Sequence, residues 1–113
     1  MAENIGIDAL VKAAKLRVRK KSTDDLDNEV RDVVREAVED MRRSGIDVQA
    51  LLPDGADTSG MNPLAIRAVM LYVKANFGIA VSETERAQYA ACYQDTVDGM
   101  SLCADYITAK GGV

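Results

Sequence analysis

The stretch from Asn62 to Gly78, NPLAIRAVMLYVKANFG, constrains the fold more than any other part of the chain. An asparagine suited to cap a helix, a proline suited to its first position and a glycine just past its end mark the limits. Between those limits only Arg67, Lys74 and Asn76 are polar. Arg67 and Lys74 are seven residues apart and share one narrow stripe. The other residues are apolar around most of the circumference, and a helix of that kind has to be enclosed by neighbours. The segment is therefore expected to be the central helix of a small bundle.

Three companions can be read around it. A first helix is expected from about Asp8, as N-cap, through ALVKAAKLRVRKK, with Ala9, Leu10, Ala13 and Leu16 as its apolar face. Ser22, Thr23 or Asp24 restarts the chain into a second helix reaching about Ser44. Its apolar positions are Leu26, Val30, Val33, Val34, Ala37, Val38 and Met41, in steps of three and four, the clearest amphipathic pattern present. Glu39 and Arg43 are spaced for an i,i+4 ion pair, and Gly45 is expected as the C-cap. Ser82 and Glu85 make a capping box for a last helix, whose inner face would be Tyr89, Tyr93, Val97, Met100, Ala104 and Ile107. The expected class is all-α: one domain over residues 1–113, a four-helix bundle-like arrangement, with residues 1–7 and 110–113 as flexible tails. Between the second and third helices lies IDVQALLPDGADTSGM, a loop long for so small a domain, in which DGADTSG reads as mobile.

Bulk properties narrow the function classes. A chain of 113 residues buries about 65% of its unfolded surface, enough for one modest core and no deep cleft. With one Phe, four Tyr and no Trp, there are too few rings for a base-stacking nucleic-acid surface. A net charge of −4 gives no bulk attraction to phosphates. The opening MAENIGIDAL does not read as a signal peptide, and no run is long and apolar enough for a membrane span. Cys92 and Cys103, read on one helix, would stand about 16 Å apart, too far to pair. Reduced, buried thiols and a cytoplasmic origin are expected.

Catalytic and ligand-binding motifs are hard to find. Histidine is absent, and with it the usual general base and metal ligand. GADTSG has neither the lysine nor the following helix of a phosphate loop. Asp24, Asp25, Asp27 and Glu29 fit a helix N-terminus and match no calcium loop. A helix-turn-helix is unsuitable, because the would-be recognition helix carries Glu83, Glu85, Asp95, Asp98 and Asp105 against Arg86 alone. No cofactor, metal or catalytic residue is expected.

Charge is nonetheless unevenly distributed. Lys12, Lys15, Arg17, Arg19, Lys20 and Lys21 form a basic segment without an acid. The following helix has an acidic balance, including Asp25, Glu29, Asp32 and Glu36. The basic segment reads either as a solvated helix end or as a contact surface, for phosphates or for the acidic helix of a neighbouring copy. A contact between unlike patches is head-to-tail and closes into a ring where the rotation permits.

The phrases NPLAIRAVMLYVKANFG and ERAQYAACYQDTVDGMSLCADY resemble the head–tail connector proteins of long-tailed bacteriophages, also called head-completion or DNA-packaging proteins. The upstream LRVRKKSTDDLDNEVRDVVREAVEDMRRSGI is similar to that family's basic helix followed by an acid-started helix. The similarity runs from about residue 8 to 107, with KANFG its most specific element. The resemblance implies a non-enzymatic virion subunit that assembles, about a dozen copies together, into a ring under the portal. The ring would extend the DNA channel without reading sequence and receive a stopper or tail-completion protein. It also implies a place at the head–tail junction, with assembly in the host cytoplasm. Within that expectation the basic segment and the acidic face of the second helix are candidate subunit or portal contacts. Asp54, Gly55, Asp57, Thr58 and Ser59 are the candidate channel or docking loop. The alternative is a small helical nucleic-acid-binding or generic interaction module using residues 12–21.

Overall fold

A computed structural model describes residues 5–18, 24–55, 57–77, 82–103 and 106–107, for the backbone alone at 16–18, 24–27 and 77. Four substantial helices form an all-α, bundle-like domain: α1 (Ile7–Val18), α2 (Asp24–Arg43), α4 (Pro63–Phe77) and α5 (Glu83–Ser101). Between α2 and α4 come a single-turn helix, α3 (Val48–Leu51), and a 3₁₀ turn at Thr58–Gly60. Among the described residues there is no strand, only two isolated bridges, Ile5 with Pro53 and Ile46 with Ile107.

The local signals act much as expected in α2, α4 and the start of α5. Asn62 Oδ1 accepts the amides of Leu64 and Ala65, occupying two N–H groups that the first turn of α4 would otherwise leave unpaired. Ser82 and Glu85 complete the reciprocal capping box of α5. Gly45 has φ +92°, the left-handed conformation that costs a glycine little. Its amide donates to the Arg42 carbonyl and that of Ile46 to the Met41 carbonyl, a Schellman closure of α2. The closure turns the chain so that Ile46 is buried, as Met41 is.

The core forms where these helices meet. From α2, Val30, Val34, Ala37, Val38 and Met41 are buried; from α1, Leu10 and Ala14; from α5, Tyr93, Val97 and Met100. α4 packs against α5, α2 and α1, contributing Ala65, Ala68, Val69, Met70 and Val73. The alanines matter, because small side chains let helix backbones approach closely. Enclosure of α4 is incomplete, however. Leu64 and Arg67 are exposed, and Leu71 and Lys74 are half-buried. The cause is arithmetic: three neighbouring helices cover three sides of a cylinder, and the stripe bearing the two cations is the one left over.

Several expectations are corrected. Asp8 is not the cap of α1 but lies in its first turn; the Gly6 carbonyl accepts the Leu10 amide, and Asp8 pairs instead with Arg31 of α2 at 2.6 Å. Ile5 to Ile7, assigned to a tail, are seated: Ile5 and Ile7 are buried, and the Gly6 amide donates to the Leu52 carbonyl. A side chain at Gly6 would meet Met61 and lie 2.9 Å from the Pro53 carbonyl, so the approach needs glycine. The long connection is no free loop either. Ile46, Val48, Leu51, Leu52 and Met61 are all core residues, because their apolar side chains gain more by burial than the segment loses in freedom. The last helix ends at Ser101, short of Ile107. Just beyond it the Leu102 and Cys103 amides bond three residues back, to the Gly99 and Met100 carbonyls, and the Tyr106 carbonyl accepts the Asp47 amide. Glu39 pairs with Arg42, and Arg43 approaches Asp40 at 3.9 Å, in place of a Glu39–Arg43 pair. Ser22, Thr23, Gly78 and Ala104 lie outside the described residues, as do residues 1–4 and 108–113.

Two substitutions test this account. Gly45→Ala meets no atom within 4 Å and is strained through φ alone, so it is expected to destabilise by about 1–2 kcal/mol. Leu52→Ala removes a fully buried side chain from the connection and is expected to cost about 2–5 kcal/mol. Chemical denaturation measures both; an unchanged midpoint for Leu52→Ala refutes a core role for the connection.

Candidate functional sites on the outer faces

The sequence-predicted residues occupy outer faces of the helices. Lys12 is exposed on α1 and Lys15 half-buried; Arg17 is on the same helix, its side chain outside the described set. Arg19, Lys20 and Lys21 lie outside the described residues. On α2, Glu29, Asp32 and Glu36 are exposed in steps of three and four and so form one acidic stripe; the Asp25 side chain is not described. Asp54, Gly55, Asp57 and Ser59 are exposed and Thr58 is half-buried.

Two of these groups are brought together. The 3₁₀ turn packs against α1. Asp57 caps that turn by accepting the Ser59 amide at 2.9 Å. Its carboxyl is held below the usual carboxylate range by hydrogen bonding to Ser59 and, more weakly, by the charge of Lys12. The expected mobile loop is thus anchored at this end by a capping bond and a nearby cation. The basic helix and the acidic stripe are joined by an ion pair of opposite polarity to that pattern, Asp8 of α1 with Arg31 of α2. No local spacing links these two residues, which stand 23 positions apart in the chain.

A polar cluster that the sequence did not reveal links α2, α4 and α5. The Tyr93 hydroxyl donates to Asp40 Oδ2 at 2.6 Å, and the Tyr72 hydroxyl to Glu36 Oε1 at 3.4 Å. The two rings meet edge to face, centroids 5.1 Å apart and planes inclined at 71°, an arrangement worth about 0.5–1.5 kcal/mol beyond simple burial. Burial, followed by the bond to Asp40, pushes the Tyr93 hydroxyl far above its ordinary range; burial and the Glu36 charge raise Tyr72 as well. Each hydroxyl therefore stays protonated as a donor to a carboxylate, which is a structural arrangement. Nearby, Lys74 Nζ stands 5.3 Å from the centre of the Tyr89 ring, a cation–π contact between α4 and α5.

Two surface openings among the described residues stand out by their lining. One, of about 570 Å³, is bordered by Ile5, Ile7, Asp8, Arg31, Arg35, Val38, Glu39 and Asp54. Three acids and two arginines share its rim, and Arg31 is already engaged by Asp8. The other is a shallow groove of about 700 Å³ along α4, bordered by Leu64, Ile66, Arg67, Met70, Leu71 and Lys74. Among the described residues no three acidic or cysteine side chains are placed to hold a metal ion, and no helix is long and apolar enough to cross a membrane. Both cysteines are free. Cys92 is exposed, contrary to the expectation of a buried thiol, because one residue moves it about 100° around α5 from buried Tyr93. Cys103 is half-buried just past the helix end.

Protein-family models, characterised proteins and solved structures give no significant match to this chain. The faces just described therefore carry the functional reading.

The tyrosine cluster makes a pH prediction. Tyr93 titrates near pH 10 when unfolded and higher when folded, so the native state holds the extra proton between those values. Its stabilisation is complete below about pH 10 and is lost as pH rises further. Tyr93→Phe is expected to cost about 1 kcal/mol at neutral pH and to flatten the alkaline fall in stability. Denaturant midpoints from pH 7 to 11 check this; parallel curves for the two proteins refute it.

Proposed function

We propose that this chain is a structural subunit of a bacteriophage head–tail connector, acting by assembly and not by catalysis. In this reading about a dozen copies form a ring beneath the portal, extend the channel through which DNA passes without sequence recognition, and receive a stopper or tail-completion protein. One observation carries the reading. The segments that bear the resemblance each leave a large apolar side chain on the surface: Leu64 of α4 is 41% exposed, and Leu102, the residue that caps the end of α5, is 88% exposed. Each leucine stands among charges as apolar area that a neighbouring copy would cover in an assembled ring. The basic run of the sequence from Lys12 to Lys21 and the acidic stripe of α2 add unlike charges of the kind a head-to-tail ring needs. Repetition supplies the affinity, since many weak contacts in a closed ring act together.

Inactivating the gene is expected to leave DNA-filled heads and separate, unjoined tails, seen by electron microscopy of lysates. Normal virions in normal yield refute the proposal. Reversing Arg17, Arg19 and Lys20 together to glutamate is expected to lower the yield of joined particles at least tenfold while the melting temperature stays within a few degrees. If the defect instead follows loss of DNA binding with a steep salt dependence, the basic segment is a phosphate-contact surface and the connector reading fails.

A further inference from the structure

We infer that the exposed stripe of α4 on one copy docks against the outer stripe of α5 on the next, forming the repeating contact of the assembly. The inference rests on the ring-subunit reading and names the surfaces that meet. The α4 stripe consists of Leu64, Arg67, Leu71 and Lys74: two leucines and two cations with no acid, along the shallow groove. The α5 stripe lies opposite its buried residues Tyr93, Val97 and Met100. It consists of Ala87, Ala91, Asp95, Asp98 and Leu102, all exposed. At 100° per residue these five fall within about 80° of arc.

The stripes are complementary in three respects. Their charges are opposite, Arg67 and Lys74 against Asp95 and Asp98. Their shapes suit each other, because Ala87 and Ala91 let a facing helix approach closely. Each also holds one of the two exposed large apolar side chains found among the described residues, Leu64 and Leu102. An antiparallel pairing that sets Leu64 beside Leu102 also aligns the charges. Arg67 then lies about 4.5 Å along α4 and Asp98 about 6 Å back along α5, while Lys74 at about 15 Å swings on its flexible stem from its own Tyr89 ring to reach Asp95 at about 10.5 Å. A copy's own α5 already packs on another side of α4, so the contact joins unlike patches of two molecules; made once with each neighbour it is heterologous and able to propagate around a ring.

Disulfide trapping tests the pairing. In a background of Cys92→Ser and Cys103→Ser, proteins carrying Leu64→Cys and Leu102→Cys are mixed and oxidised. Cross-linking is expected between unlike variants and to be about tenfold slower within either variant alone. Arg67→Glu with Lys74→Glu is expected to weaken self-association about tenfold, and the added reversal Asp95→Lys with Asp98→Lys to restore it. All eight positions are exposed or half-buried, and unchanged circular dichroism melts confirm that the variants fold. Like-with-like cross-links dominating, or a monomer with no cross-link at high concentration, overturns the inference. Multimers that ignore the reversal overturn this interface while leaving a ring subunit intact. Loss of binding to a different virion protein, with self-association preserved, assigns the α4 stripe to that partner and also overturns it. Successful trapping and rescue in a protein whose gene is dispensable for joining heads to tails supports the contact and refutes the connector reading.

Discussion

The arrangement depends on the burial of α4. A fifteen-residue helix with so few polar positions has no stable existence alone in water, and α1, α2 and α5 are held in place chiefly because each covers part of it. The alanines on its inner side set how closely those neighbours approach, while Val69, Met70 and Val73 fill the space between. The tyrosine pair adds direction to this otherwise undirected attraction. Apolar packing permits some sliding between helices, but the bond from Tyr93 to Asp40 fixes α5 against one turn of α2, and Tyr72 leans between them.

Much of the helical framework was legible in the sequence because its signals are local. Asn62–Pro63, Ser82 with Glu85, and Gly45 act within a turn of where they stand, and the run from Val30 to Met41 states its period over several turns. Other parts were hidden because their causes are distant. The polar residues around Pro53, Asp54 and Gly55 suggest a free loop, yet Val48, Leu51 and Leu52 are too few to display a period and reveal their burial only against the folded core. Tyr93 was expected on the inner face of the last helix, but its carboxylate partner lies 53 residues upstream. The run to Ile107 suggested a longer helix; the pairing with Ile46 that ends it belongs to tertiary structure.

The candidate site was legible in part for the same reason. Acidic and basic runs are visible to a count of charges, and Glu29, Asp32 and Glu36 do share an exposed face. The count gave no sign that Lys12 would sit near the Asp57 turn, or that Asp8 and Arg31 would join the helices. The outer stripe of α5 gave no signal because exposed alanines are ordinary helix formers and a single leucine off the apolar face shows no period. Its significance depends on where the helix stops.

The two isolated bridges have a mechanical consequence. Ile5 is clipped to Pro53, and Ile107 to Ile46, so both ends of the described chain are fastened to the same short connection. Tension applied at either end is borne first by that segment and only afterwards by the four helices. A domain built this way passes a pull at either described end into the connection, while its central rod stays undisturbed.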